Sequence, residues 1–364
     1  MKNKIKNILL NLPGFQALCR QLTRKHVRTL MYHRFDNEYR SGSPRVCVRT
    51  LEEQLSYIRR YHANWSPQEH VDALEGKRKW SSAPVVITID DGYRDFYQVA
   101  YPLLTEYSMK AMLFVTTNFV EKHCLLWWDR LRFMLNHTSK IYLDVVLGGK
   151  SVTLKLAASQ DRDLAWSLIA DHCRFMPHLE KEQLLDDLAV KLDVSPDLVE
   201  PEDDKAVSWD ELKEMVDSGL LVGAHTLNHP ILSRLQRTQV IEEISGSKRV
   251  LEDKLNRDIN WFCYPQGGPA DFSEETKEIV GSLGFHGCYV AYQTMVYDKY
   301  TLPRYGASKD MSDFKWTLCG AEYIILVLRK LLRKQADMGE SYWRGSESWV
   351  KPNQFKGTND VNDK

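Results

Sequence analysis

Thr88-Ile89-Asp90-Asp91-Gly92-Tyr93 sets two carboxylates side by side directly after the apolar run Val85-Val86-Ile87. Further along, His225-Thr226-Leu227-Asn228-His229-Pro230 offers two imidazoles four residues apart. One carboxylate and two imidazoles form a three-ligand set for a divalent metal, with positions left for water and substrate. The second carboxylate then stands beside the ion, where a general base is useful. The chemistry this combination points to is metal-assisted hydrolysis. Each segment alone has a plainer reading. An Asp pair is often a helix N-cap or a turn, and a His pair before proline is often a hydrogen-bonded core group followed by a turn.

The surrounding pattern decides between these readings. Thr29 to Tyr32, Val85 to Ile89, Ala111 to Val115, Leu220 to Gly223 and Trp261 to Tyr264 are short apolar runs of the buried-strand type. Helical spacing separates them, over Leu51–Arg60, Tyr97–Tyr107, the stretch opened by the capping-box pattern Ser208-Trp209-Asp210-Glu211, Thr238–Leu255 and Glu274–Gly284. Strand and helix in alternation predict an α/β fold with a parallel sheet or barrel. Tyr289-Val290 reads as the start of a further strand, and Leu302-Pro303-Arg304-Tyr305 closes the alternation. In such folds catalytic groups gather at the C-terminal ends of strands. His33, Asp90, Asp91, His225 and Tyr264 all fall there.

The alternation lapses between Val120 and Asp204, where helical stretches flank short β-like runs around Gly148-Gly149. The chain therefore divides into an N-terminal helical segment over 1–26, a core over 27–120 and 205–308, an insertion over 121–204, and an amphipathic helix with a loose polar tail over 309–364. The tandem Trp127-Trp128 at the head of the insertion suits either stacking on a sugar or anchoring the insertion, and paired aromatics favour anchoring.

Lysine plus arginine equals aspartate plus glutamate, 49 each, so no global charge steers the chain to nucleic acid. The seven cysteines are odd in number and none is spaced C-x-x-C, which argues against a disulfide framework or a zinc ribbon. The apolar stretch near the start, Ile8-Leu9-Leu10, is too short for a secretory signal, and no run is long enough to span a bilayer. The expected location is cytoplasmic. The basic amphipathic ends, including Tyr323–Lys334, suit peripheral attachment to the inner membrane.

These residues resemble the polysaccharide deacetylase family, also called NodB-homology or carbohydrate esterase family four. Thr88–Tyr93 is similar to its T-F-D-D-G motif, and His225–Pro230 to its H-[ST]-x-x-H-P motif. Phe262-Cys263-Tyr264-Pro265-Gln266-Gly267 is similar to the F-x-Y-P-x-G form of its third motif. Leu30-Met31-Tyr32-His33 resembles the L-M-Y-H segment that opens one branch. The resemblance implies a distorted (β/α)7 barrel, here with a mostly helical insertion and a C-terminal helical extension. It implies one divalent metal on Asp91, His225 and His229, zinc first, with cobalt, nickel or manganese as alternatives. Asp90 becomes the general base. The late L-x-H histidine of the family is absent, since Leu302-Pro303-Arg304 stands in its place. In the L-M-Y-H branch the early histidine takes that role, so His33 is the candidate general acid, with His286 a weaker one. The arginine that orients the base in many relatives is also missing, and Arg304 or Asp129 could substitute. Tyr264, Pro265, Gly267, Thr226, Arg304 and Trp128 form the expected substrate and oxyanion surface, with the Tyr264 N–H as oxyanion donor.

The implied reaction is removal of an N-acyl group, acetyl first, from an amino sugar. A cytoplasmic enzyme would meet that sugar on a nucleotide or a lipid, in O-antigen or other surface-glycan assembly. Two alternatives stay open: a deformylase or other amidohydrolase on the same site, and a non-catalytic saccharide-binding scaffold.

Overall fold

The computed structural model describes residues 2–39, 43–80, 83–122, 125–174, 176–195 and 201–331. The expected loose tail and the last residues of the basic run, Leu332-Arg333-Lys334, lie outside the described residues.

Seven strands form one parallel sheet: β1 (Arg28–Tyr32), β2 (Val85–Ile89), β3 (Met112–Val115), β4 (Leu221–Ala224), β5 (Trp261–Cys263), β6 (Gly287–Tyr289) and β7 (Tyr305–Gly306). Their spatial order is β6-β5-β4-β3-β2-β1-β7. Strands buried on both faces read as continuous apolar runs rather than alternating ones, as Val-Val-Ile-Thr-Ile of β2 does, with all five residues buried. Registers are in step, with Tyr32 of β1 beside Ile89 of β2 and Ala224 of β4 beside Phe262 of β5. A parallel bridge from Tyr289 to Leu302, just ahead of β7, links the sheet's two edges and curls it into the distorted (β/α)7 barrel. Gly223 leaves room for its neighbours in the sheet, because a Cβ there would sit 2.5 Å from the Phe114 ring. Tyr289 ends β6 rather than beginning a strand, since its carbonyl already accepts from Tyr264 and the chain turns beyond it.

Fourteen α-helices complete the described chain. The amino end supplies α1 (Lys2–Asn11) and α2 (Phe15–Leu22). Around the barrel lie α3 (Val48–Tyr61), α4 (Pro67–Leu74), α5 (Tyr101–Glu106, led by a π-turn over Phe96–Ala100) and α6 (Thr117–Lys122). The insertion follows with α7 (Trp127–His137), α8 (Ser159–Cys173) and α9 (His178–Lys191). Barrel helices resume with α10 (Trp209–Asp217), α11 (Arg237–Leu255) and α12 (Glu274–Ser282), and α13 (Met311–Cys319) and α14 (Ala321–Leu331) end the chain. The Ser208–Glu211 capping box starts α10, each partner satisfying the other's orphan N–H.

The helices α7–α9 and an antiparallel hairpin, Tyr142–Leu147 with Lys150–Lys155, enclose their own apolar core around Leu131, Met134, Ile169, Leu185 and Leu188. At the opposite end of the chain order, α1, α2, α13 and α14 close on Leu10, Cys19 and Trp316.

Candidate active site

The C-terminal ends of β1, β2, β4 and β5 deliver His33, Asp90, Asp91, His225 and Tyr264 to one mouth of the barrel. The backbone there is forced. Asp91, Thr226, His229 and Gln266 all have positive φ, and Gly92 at φ +95° occupies a conformation that side chains avoid. Left-handed non-glycine residues are uncommon, and they concentrate where a site over-determines its own geometry.

Asp91 Oδ1 lies 3.6 Å from His225 Nε2 and 3.6 Å from His229 Nε2. All three side chains are buried, and Asp91 Oδ1 has no hydrogen-bond partner among the described residues. The carbonyl of Cys263 accepts from His225 Nδ1 at 2.8 Å, which fixes the tautomer and leaves Nε2 as a lone-pair donor. Burial pulls His225 down to about 4 and His229 well below its ordinary value, so both rings are neutral, the form that ligates metal. Burial, then the Asp90 and Asp129 carboxylates, push Asp91 well above the usual carboxylate range. A carboxylate so placed gains most from a cation between it and the two rings. Three donors bonded to one tetrahedral ion at about 2.1 Å stand roughly 3.4 Å apart, close to the spacing here. The donor set fits a divalent metal.

A second grouping, Asp90, His225 and Cys263, lies alongside. Its lone pairs are already engaged. Arg304 donates to both Asp90 oxygens, Nη1 to Oδ1 at 2.6 Å and Nη2 to Oδ2 at 2.7 Å, and to Cys263 Sγ at 3.0 Å. Burial would raise the Asp90 carboxyl, but the guanidinium outweighs it and holds Asp90 well below the usual range. Asp90 is therefore a fixed, ionised carboxylate beside the metal-type cluster.

His33 Nε2 is 3.8 Å from Asp90 Oδ2, and its side chain keeps 44% of its exposure. It stands at the mouth, within reach of solvent and base. His286 does not: it precedes β6, at the N-terminal edge of the sheet, and its N–H pairs with Asn260. Asp129 accepts from the Tyr93 hydroxyl at 2.5 Å, so it braces the residue after the Asp-Asp-Gly turn rather than orienting Asp90.

The residues expected on the substrate and oxyanion surface are placed as follows. The Tyr264 N–H donates to the Tyr289 carbonyl at 3.2 Å and is committed to the sheet. Thr226 is wholly buried, and its hydroxyl accepts from the His229 N–H at 3.0 Å, which ties the histidine loop to itself. Pro265 and Gly267 are buried in a tight turn closed at 2.6 Å between the Gly267 N–H and the Pro265 carbonyl. Arg304 is 1% exposed, with its guanidinium on the Asp90 carboxylate. Trp128 anchors the insertion by donating to the Tyr93 hydroxyl at 2.9 Å, while its ring stands edge-on to His229 at 4.9 Å.

Sequence reasoning missed Glu243. Its carboxylate accepts from the N–H groups of Leu227 and Asn228 at 3.0 and 2.9 Å and from the Asn228 amide at 2.7 Å, holding the loop between the two histidines. Its signal was an acidic residue among Val240, Ile244 and Ser247 on the buried face of α11.

The family model described as polysaccharide deacetylase matches residues 77–145 and 175–288. The chain belongs to the polysaccharide deacetylase family. Among similar proteins, YxkH of Bacillus subtilis (strain 168), a polysaccharide deacetylase by inference, is 23% identical over 257 residues, 70% of this chain. The chain spans 61% of the length of that relative. The Streptococcus pyogenes deacetylase PplD, in complex with acetate, superposes with a TM-score of 0.53 at 18% identity, covering 80% of this chain and 97% of its own. IcaB from Ammonifex degensii superposes with a TM-score of 0.51 at 19% identity, covering 81% and 97%. These two likenesses establish the deacetylase barrel.

Proposed function

We propose that this deacetylase removes an N-acyl group, acetyl first, from an amino sugar carried on a nucleotide or a lipid, in the assembly of a surface glycan such as O-antigen. One observation carries the reading: a buried, unpartnered Asp91 oxygen equidistant from two neutral imidazoles, beside an ionised Asp90. Asp91, His225 and His229 would hold one divalent ion, zinc first, with cobalt, nickel or manganese as alternatives. When bound, that ion polarises the acyl oxygen and acidifies a water.

The chain's own residues move the protons. Asp90 takes one from the attacking water, and Arg304 keeps its two oxygens aimed and ionised until then. His33, 3.8 Å away, receives that proton from Asp90 and passes it to the leaving amine. Burial lowers the His33 ring below its ordinary value while the Asp90 charge works the other way. It therefore rests largely neutral and charges as Asp90 hands over its proton.

Peripheral membrane attachment is part of the same reading. Ile5, Ile8 and Leu12 of the first helical segment, Leu18 and Leu22 of α2, and Leu328 of α14 are exposed. Exposed Lys4, Arg24, Lys25, Arg329 and Lys330 border them, a pattern that complements an anionic lipid surface. No described helix is long and apolar enough to cross a membrane.

The test is metal content and amine release measured on the same samples of wild type and His225→Ala, with N-acetyl and N-formyl amino sugars. The expected result is one divalent ion per chain and release from the N-acetyl substrate, both lost in the variant. A wild-type protein with neither metal nor amine release refutes the proposal, and release from N-formyl substrates alone reassigns the acyl group.

A further inference from the structure

The insertion leaves the barrel and rejoins it at one place. At its head, Trp128 Nε1 donates to the Tyr93 hydroxyl at 2.9 Å, and that hydroxyl donates to Asp129 Oδ2 at 2.5 Å. At its end, Asp204 accepts from Arg34 at 3.1 Å, and the Arg34 guanidinium lies 3.7 Å from the centre of the Tyr93 ring. The segment that follows pairs with the same stretch through the backbone. Ala206 forms an antiparallel bridge with Tyr93, the Arg94 N–H donates to the Lys205 carbonyl at 2.8 Å, and the Val207 N–H donates to the Gly92 carbonyl at 2.9 Å. Tyr93 itself is 1% exposed.

What this grip holds is the turn that carries Asp91. Asp91 and Gly92 sit at φ +77° and +95°, a region that an aspartate keeps only when its surroundings enforce it. The barrel ties the Asp91 carbonyl, through the Thr116 N–H at 3.1 Å. The bonds to the Gly92 carbonyl and the Tyr93 hydroxyl come instead from the insertion and its return segment. The Trp128 ring also stands edge-on to His229, ring centres 4.9 Å apart, so the insertion borders a second member of the metal-type cluster. The insertion closes its own apolar core around Leu131, Ile169 and Leu188, and Trp166 Nε1 donates to the Trp128 carbonyl at 3.0 Å. Trp128 and Asp129 therefore reach Tyr93 as parts of a preformed body, which can impose a position on it.

We infer that the insertion is a working part of the metal centre, and that Tyr93 is the positioning residue through which Trp128 and Asp129 hold Asp91 in its ligating conformation. This rests on the reading of Asp91, His225 and His229 as metal ligands. A buried hydroxyl that accepts one bond and donates another is fixed in direction, and the phenol ring passes that constraint to the backbone two residues from Asp91. Coupling between two sites is reciprocal. A metal on Asp91 therefore strengthens the docking of α7 on Tyr93 by the same factor as that docking strengthens the hold on the metal.

The test uses the full-length chain, with Tyr93→Phe, Asp129→Asn and the double variant, and cobalt as the probe metal. Cobalt affinity, read by competition with a chromogenic chelator, falls about tenfold in each single variant, the low end of what residues supporting a metal ligand contribute. Both changes act on one bond, so the double variant falls no further than Tyr93→Phe alone. Hydrogen exchange adds a readout that a merely structural role would not move. In wild type, cobalt slows exchange over α7. In Tyr93→Phe at saturating cobalt that slowing is lost, while β2 and β3 stay as protected as in wild type. Asp129 is only half-buried, so its variant keeps the test valid if Tyr93→Phe fails to fold. Equal cobalt affinity in wild type and both single variants overturns the inference, and so does a double variant in which the two losses add in full. A wild type that takes up no divalent ion refutes the metal-ligand reading instead. Exchange in the metal-free protein then decides the inference by itself: a faster Thr116 amide in Tyr93→Phe supports the grip on the Asp91 turn, and an unchanged one overturns it.

Discussion

Replacing Arg304 by methionine removes both bonds to Asp90 and keeps the side chain's approximate bulk. Each charge-assisted hydrogen bond is worth about 1.5–3 kcal/mol, so the pair favours the Asp90 carboxylate by about 3–6 kcal/mol. At 1.36 kcal/mol per pH unit that is a shift of about 2–4 units. The direction follows from the site. Asp90 now sits well below the usual carboxylate range because Arg304 outweighs burial, and in the variant burial acts unopposed. A general base works only when deprotonated, so activity falls as pH drops through its pKa. In wild type that acidic limb lies below the ordinary carboxylate region. In Arg304→Met it moves up, into the window of about pH 4 to 6. The assay is kcat/KM for amine release across that window, with metal content measured at each pH so that ligand protonation is not mistaken for the base. Stability is checked first, because breaking a buried pair costs about 3–5 kcal/mol. Arg304→Lys, which keeps a charge but loses the fork, shifts the limb less. A folded, metal-loaded Arg304→Met with the wild-type acidic limb would refute the argument that Arg304 sets the ionisation of Asp90.

Two further outcomes follow from parts of the molecule away from the base. Glu243→Gln removes the charge that gathers three donors of the histidine loop, and metal affinity falls about 10- to 100-fold with little change in fold content, as competition with a chromogenic chelator would show. Leu18→Ser with Leu22→Ser lowers sedimentation with vesicles containing anionic lipid and leaves the melting temperature near wild type, and equal sedimentation of both proteins would remove α2 from the membrane surface.

The ends of β1, β2 and β4 were legible because strands buried on both faces write uninterrupted apolar runs that stop abruptly at His33, Asp90 and His225. Tyr289 shows the limit of that signal. Tyr289-Val290 is apolar across a strand end, so the pattern alone suggests a beginning where the sheet stops. Arg304 could be named as a substitute only because a resemblance left an arginine missing; nothing local says that it reaches β2 across the barrel. Glu243 was illegible for a different reason. A glutamate on a helix reads as a solvated charge, and only the packing of α11 buries it. Thr226 misled in the opposite sense, since a hydroxyl between two histidines looks available to substrate until the loop folds back on it.

The Asp90–Arg304 pair joins residues 214 positions apart in the chain. At synthesis rates of roughly 5–20 residues per second, about 10–40 s separate the appearance of the carboxylate from that of its guanidinium. For that interval the nascent chain comes to hold both motif histidines but no counter-charge for Asp90, so a protein cut short before Arg304 lacks the pair that holds the base ionised at low pH. The arrival of Arg304, just ahead of the last strand, is thus also the event that extends the ionised range of the base toward low pH, whichever earlier strands have already paired.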